Sequence, residues 1–284
     1  IYNKMINRNL NKKGALEAKM LISIILLIAG FGIILFMYSQ LNWTGNIDRE
    51  VCHESVILRG TLPEKSIIST KDVVPLKCKT KNICMTSKLF GKGDCNEFGD
   101  EYDTIRISES KKEQEIKMAI AREMADCWSM MGEGKVQVFS RELKSGLITS
   151  KGVICSNIAF DNSIKSKIDK VEGIQEYLEK YNAPNKDVSY LKFFTNNYPK
   201  SSDSIVGERK DIINLDKEQS IIFVEFDRTH VGFFFLGPIG DFIQKPLQNY
   251  LQGFKGDFYS GIFLREYSSE GIKELDIDSF ESIS

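Results

Sequence analysis

The chain has 284 residues, of which 42% are hydrophobic and 27% are charged, and its formal net charge is −1 at pH 7. This ordinary composition excludes a largely disordered chain, and the lack of a basic surplus excludes nucleic acid as a partner. The length is sufficient for one domain or two small ones, each with a hydrophobic core.

Residues 20–38 form an uncharged and almost wholly apolar run. A helix of that length, at about 1.5 Å per residue, nearly matches the ~30 Å hydrocarbon core, so the run predicts a transmembrane helix. The alternative is a buried core helix, which is usually shorter. Segment 1–19 has five basic residues and one acidic residue, which predicts a cytoplasmic N-terminus. The protein is therefore predicted to be a single-pass cell-membrane protein, with the lipid bilayer as a partner and residues 39–284 extracytoplasmic.

The residues directly before this run are "KKG" (12–14) and "ALE" (15–17). They resemble the class III, prepilin-type signal of archaeal type IV pilins and related surface proteins. The resemblance implies cleavage between Gly14 and Ala15, with Glu17 near the new N-terminus, and a mature helix that packs with like helices in a filament. The whole chain is also similar to uncharacterised archaeal single-pass membrane proteins with a cysteine-bearing outer domain. The alternative is that "KKG" is the ordinary basic flank of a membrane anchor.

All six cysteines lie beyond the apolar run, on the side predicted to be oxidising, and they are Cys52, Cys78, Cys84, Cys95, Cys127 and Cys155. An even number of cysteines in that location predicts structural disulfides. Two pairs have a local basis: Cys78 with Cys84 across a hairpin, and Cys127 on a helix with Cys155 in a following strand. The sequence has no C-x-x-C pair and two histidines, so no metal site is predicted. The sequon at Asn42 is a candidate glycosylation site that is compatible with export.

The clearest predicted helix lies within residues 108–134, where apolar residues recur at helical spacing: Ile116, Ile120, Met124, Cys127 and Met131. Ser108 or Ser110 is expected to cap its start, and Gly132 is expected to end it in a left-handed conformation. Alternating or apolar stretches at 102–107, 135–139 and 152–160 predict strands. This order predicts a largely antiparallel α+β domain that is covered on one face by the helix.

A second helix is predicted from residue 166 to about residue 181, since Pro184 cannot continue it. A short helix or turn follows, and the polar stretch 199–209 predicts a linker or long loop. Strands are predicted at 220–226 and 261–267, with a short helix after them. The predicted outer region therefore comprises a cysteine-containing part, 39–198, and a C-terminal part, 199–284.

The C-terminal part contains an unusually apolar segment, 231–254, in which four large apolar residues are adjacent: Phe233, Phe234, Phe235 and Leu236. One interpretation is that they pack in the domain core. The other is an interaction surface that contacts the membrane or a protein partner, because exposed apolar patches usually mark such sites.

No catalytic arrangement is evident in the sequence. There is no G-x-S-x-G nucleophile turn, and the lysine of "MGEGK" is followed by valine, which does not fit a phosphate-binding loop. We therefore predict no catalytic residue and no cofactor. The favoured function is binding or assembly at the cell surface, including a pilin-like subunit, as a homo-oligomer or within a surface complex. The alternative is a membrane-anchored hydrolase of cell-surface material that uses acidic residues.

Overall fold

The structure is a computed structural model, and it describes residues 20–36, 43–61, 74–99, 101–139, 143, 150–195, 212–227, 258–268, 277 and 279–281. The chain divides into two compact units, 1–47 and 48–284. Each unit is described by itself.

In the first unit, residues 20–36 form helix α1, whose large apolar side chains are exposed. Among the residues that the structure describes, no helix is both long enough and apolar enough to span a membrane. The predicted transmembrane helix at 20–38 is therefore wrong, and so is the single-span fold that includes it. The physical reason is length, since 17 helical residues extend for about 25 Å against a hydrocarbon core of about 30 Å.

The second unit contains most of α2 (Trp43–Thr61) and is a mixed α+β structure. Its further elements are β1 (Lys81–Thr86), β2 (Asp103–Arg106), α3 (Lys112–Met130), β3 (Ser150–Phe160), α4 (Asn162–Lys165), β4 (Lys170–Glu172), α5 (Ile174–Lys180), α6 (Tyr190–Phe194), β5 (Ile212–Asn214), β6 (Gln219–Asp227), β7 (Phe258–Glu266) and β8 (Ser279–Phe280). Two short 3-10 helices, Asn96–Phe98 and Glu109–Lys111, precede β2 and α3.

The main sheet has the strand order β2-β1-β3-β6-β7, and β8 pairs with β3 beside β1. Strand β1 is parallel to both β2 and β3, whereas β3, β6 and β7 are antiparallel neighbours. The prediction of a largely antiparallel sheet is therefore wrong, because the sheet is mixed. Helix α3 connects β2 to β3 and returns the chain across the sheet, so β3 enters in the same direction as β1.

Helix α3 covers the sheet with the apolar stripe that its spacing predicts, since Ile116, Ile120, Met124, Cys127 and Met131 are all buried. Trp128 packs against the ring of Phe223 and donates from Nε1 to the carbonyl of Phe193 at 3.1 Å. The predicted end is confirmed, because Gly132 has a φ of +81°. The N-cap residue of α3 is Lys111, so the predicted serine cap of this helix is wrong. Ser108 is instead the N-cap residue of the 3-10 turn that precedes α3, and its side chain makes no capping hydrogen bond.

Strands β2, β3, β6 and β7 confirm four predicted strands. Residues 135–139 do not form a strand; the backbone N–H of Phe139 instead donates to the carboxylate of Glu225 at 2.8 Å. The predicted second helix is interrupted by β4, and α5 begins after Gly173, whose φ is +74°. Strand β4 pairs with β5, away from the main sheet.

The cysteines form three disulfides, Cys52–Cys78, Cys84–Cys95 and Cys127–Cys155, and none is free. The predicted Cys127–Cys155 pair is confirmed and joins α3 to β3. The predicted Cys78–Cys84 pair is wrong, because residues 75–80 are not a strand and form no hairpin with β1. Cys78 is instead bonded to α2, and Cys84 to the segment that follows β1.

Candidate interaction surfaces

The parallel strands β1, β2 and β3 end at the same side of the main sheet, which is called the carboxyl edge below. From this edge the chain leaves β1 toward β2 and leaves β3 toward β6, in opposite directions. In open α/β sheets, the crevice between two such strands is the usual place for a ligand. Here residues 87–95, called the stapled loop, lie at that crevice and are bonded back to β1 by Cys84–Cys95.

The buried carboxylate of Asp161, which directly follows β3, anchors the stapled loop. It accepts from the backbone N–H of Asp94 at 2.9 Å, from the hydroxyl of Thr86 at 3.1 Å and from the backbone N–H of Ser163. The Lys88 ammonium lies 3.3 Å away. Burial alone would raise the pKa of the Asp161 carboxyl, but the hydrogen bonds outweigh it and hold the pKa well below its usual range. Asp161 is therefore an ionised anchor for the loop.

Further contacts fix the course of the stapled loop. The hydroxyl of Tyr102 donates to the carbonyl of Gly93 at 2.6 Å, and the Arg106 guanidinium donates to the carbonyl of Gly91 at 3.0 Å. A Cβ at position 93 would lie 2.5 Å from the Sγ atom of Cys84, so this close approach requires glycine. The loop is thus held at both ends and along its length.

The stapled loop presents two large apolar side chains to solvent, Leu89 and Phe90, which are 82% and 88% exposed. These two residues are called the apolar tip. Exposed apolar groups of this size, carried on a rigid support, are typical of an interaction site. The sequence analysis did not predict the tip, although a signal is present: two large apolar residues between Lys88 and Lys92, within a segment bounded by cysteines.

A second feature is a cleft of about 420 Å³ between α2 and the end of α3. Its lining includes the apolar residues Ile57, Met130 and Val136, together with four charged residues: Arg49, Glu50, Glu133 and Lys135. His53 lies in the cleft and donates from Nδ1 to the carbonyl of Met130 at 3.0 Å, which joins the two helices. The volume lies at the lower end of the ~300–1,000 Å³ range of ligand pockets.

One wall of the cleft is a turn in which Gly132, Glu133 and Gly134 all have positive φ, of 81°, 56° and 66°. A positive φ is uncommon for a glutamate, and the Glu133 carboxylate contacts Lys135 at 2.5 Å and Lys186 at 3.2 Å. Burial alone would raise the pKa of Glu133, but the two ammonium groups outweigh it and lower the pKa. Glu133 is therefore ionised, and it stabilises the turn rather than donating a proton.

The structure brings the six predicted cysteines together in pairs, whereas the other predicted functional residues lie outside the described residues: Gly14, Ala15, Glu17, Asn42, Phe233, Phe234, Phe235 and Leu236. Within the described residues, no group of histidine, cysteine and acidic side chains has the geometry of a metal site. Comparisons with protein-family models, with curated proteins and with solved structures found no match. The function is therefore inferred from the chain's own geometry.

Proposed function

We propose that the protein is exported and acts outside the cytoplasm by binding or assembly, in a homo-oligomer or a surface complex. The observation that carries this proposal is the pairing of all six cysteines in disulfides. Such bonds persist in oxidising compartments and are rare in reducing ones.

Three observations favour binding over catalysis. The crevice at the carboxyl edge is taken by the stapled loop, and Glu133 in the cleft is ionised. A hydrolase acid needs a raised pKa within a cleft. Burial raises the pKa of both Glu123 and Glu218, but Glu123 contacts Lys81 at 3.0 Å, and neither glutamate lines the cleft. In the part of the chain that the structure describes, the apolar tip and the cleft suit contact with another molecule.

Processing before Ala15 is part of the proposal, on the resemblance of residues 12–17 to a prepilin-type signal. The test is to isolate the protein from its native source and determine its N-terminus and intact mass, after alkylation with and without reduction. We expect a chain that begins at Ala15, with no alkylated thiol before reduction and six after it.

Each part of this proposal has its own contrary result. Six alkylated thiols without reduction would overturn export to an oxidising compartment. A chain that retains residues 1–14 and has no free thiol would overturn the processing and leave export supported. A mutant with Gly14→Leu serves as the control, because it blocks cleavage after glycine without altering any cysteine.

A further inference from the structure

We propose that copies of this chain associate head to tail, with the apolar tip of one copy seated in the cleft of the next. This inference rests on the assembly function proposed above and identifies its contact. Both surfaces belong to the second unit, so the geometry that relates them is that of one compact body.

The tip and the cleft lie at opposite ends of the main sheet. The tip follows the carboxyl end of β1. The cleft is formed by the last turn of α3 and the residues after it, and α3 runs from the carboxyl end of β2 back toward the amino end of β3. The contact between Lys81, at the amino end of β1, and Glu123, late in α3, at 3.0 Å confirms this direction. One body therefore presents a protrusion at one end and a hollow at the other.

The two surfaces fit each other in chemistry. Leu89 and Phe90 need an apolar cover, and the cleft provides Ile57, Met130 and Val136 within about 420 Å³. Both surfaces are already held in place before binding, so association does not carry the free-energy cost of ordering a loop. The tip is held by Cys84–Cys95 and by Asp161, and the cleft by the hydrogen bond from His53 to α3.

One pair of charges, an arginine beside the tip and a glutamate of the cleft, is also complementary. Arg106, at the carboxyl end of β2, donates to the neutral carbonyl of Gly91, the residue after the tip, and Glu50 is an exposed residue of the cleft lining. In the part of the chain that the structure describes, neither side chain forms an ion pair. By contrast, the other acidic group of the cleft, Glu133, is already paired with two lysines. When the tip of one copy enters the cleft of the next, Arg106 therefore approaches Glu50, a carboxylate that has no ion-pair partner among the described residues.

A contact between two different surfaces is heterologous. It repeats from copy to copy and forms an open chain, unless the rotation between successive copies closes a ring. Two side chains in a small cleft give a weak contact. We therefore expect association that grows continuously with protein concentration.

The test uses the full chain, in a mild non-ionic detergent that covers α1, and sedimentation equilibrium to measure mass against concentration. The tip variant is Leu89→Ser with Phe90→Ser, and the cleft variant is Glu50→Trp, which fills the cleft from an exposed position. The matched control is Ile212→Ser, an apolar residue that is 42% exposed on β5 and belongs to neither surface. We expect each of the two variants to lower the association constant at least about tenfold, and the control to leave it unchanged.

Mixing the two variants distinguishes this contact from all others. The tip variant keeps its cleft and the cleft variant keeps its tip, so an equimolar mixture should form a dimer that grows no further. A mixture that remains monomeric, while the unaltered chain associates, would overturn the proposal in favour of another contact. A monomeric unaltered chain at about 1 mM would overturn it outright. Binding of the tip to phosphatidylglycerol vesicles without self-association would show that its partner is lipid, which would also overturn it.

The charge pair Arg106 and Glu50 gives an independent check. Arg106→Glu and Glu50→Lys should each weaken association, and a chain that carries both substitutions should recover it, because the opposite charges then exchange places. If the double variant does not regain association, Arg106 is not part of the contact. Failure of any of these tests leaves the disulfide state and the N-terminus unaffected, so it is distinguishable from failure of the proposed export.

Discussion

Asp161 stabilises the carboxyl edge through hydrogen bonds that reach both β1 and the stapled loop. We expect Asp161→Asn to lower the free energy of unfolding by about 1–3 kcal/mol at pH 7, because charge-assisted bonds are lost in a buried position. Urea unfolding followed by circular dichroism measures the change. The control is Asp94→Asn, whose carboxylate is exposed and should contribute less than about 1 kcal/mol.

The effect of Asp161 depends on pH in a definite direction. Its pKa is lower in the folded chain than the value of about 3.9 in an unfolded one, so its ionised form stabilises the fold above about pH 4. This contribution is lost as the pH falls from there toward the folded pKa. The difference between the unaltered chain and Asp161→Asn should therefore shrink below about pH 4. An unchanged difference at pH 3 and pH 7 would contradict the assignment.

At the scale of single residues, the sequence predicted the buried stripe of α3 and the left-handed Gly132 because both depend on local spacing. It did not predict Asp161 as an anchor, because the partners of its carboxylate are distant in the chain: Thr86 and Asp94 precede it by 75 and 67 residues. Contacts of that range are set by strand pairing and leave no local pattern.

At the scale of elements, the disulfide Cys127–Cys155 joins α3 to β3 across 28 residues, and Cys84–Cys95 closes a loop of 11. We expect replacing both cysteines of the longer pair by alanine to cost about 3.5 kcal/mol of unfolding free energy, against about 3 kcal/mol for the shorter pair. Urea unfolding under non-reducing conditions compares the two variants.

The two variants should differ more clearly in association than in stability. Removing Cys84–Cys95 takes away the covalent hold on the stapled loop, so the tip is held less firmly, whereas removing Cys127–Cys155 leaves the tip in place. Equal association by both variants would argue that the staple has no part in binding. An unaltered unfolding free energy after loss of Cys127–Cys155 would contradict the stabilising role of that bond.

Elements with strong local signals were predictable, and those that depend on neighbours were not. Strands β3 and β6 are rich in apolar and β-branched residues, and their existence follows from composition. Residues 135–139 alternate like a strand, but Val138 and Phe139 are buried without a strand partner, and the backbone of Phe139 is bonded to a side chain. The direction of β1 beside β3 has no signature in either strand.

At the scale of the whole second unit, a buried charge cluster connects its first and last described parts. Arg59 of α2 donates to the carboxylate of Glu281 at 3.1 Å, and Lys151 of β3 lies 2.6 Å from the same carboxylate. Both cations also lie over the ring of Phe139. The cluster thereby fastens the residue after β8 to the helix that begins the unit.

We expect Glu281→Ala to lower the unfolding free energy by about 3–5 kcal/mol, because it removes the anion from a buried cluster of cations. The control is Glu266→Ala, which breaks the more exposed pair with Lys217 and should cost about 1 kcal/mol or less. Thermal unfolding of both variants checks the comparison. A similar cost for the two would show that the buried cluster does not fasten the unit.

The whole-molecule prediction from sequence was the least accurate. The α+β content was predictable from periodicity, and the presence of disulfides, though not their full pairing, from cysteine number. The membrane span was predicted from an apolar run that is longer than the helix it forms among the described residues. The cleft arises where α2 meets the end of α3, elements that are distant in sequence, and the exposure of the tip depends on how the stapled loop is held, so neither surface was predicted.

If the chain is exported as proposed, the order of its disulfides bears on how it matures. The cysteines pair in chain order, first with second, third with fourth and fifth with sixth, so the three bonds follow one another without interlacing. A chain that emerges from a translocation channel N-terminus first can close each bond before the next cysteine pair appears. Each bond can then form without a cysteine from a later pair, although β3 pairs with β6 only once β6 has emerged.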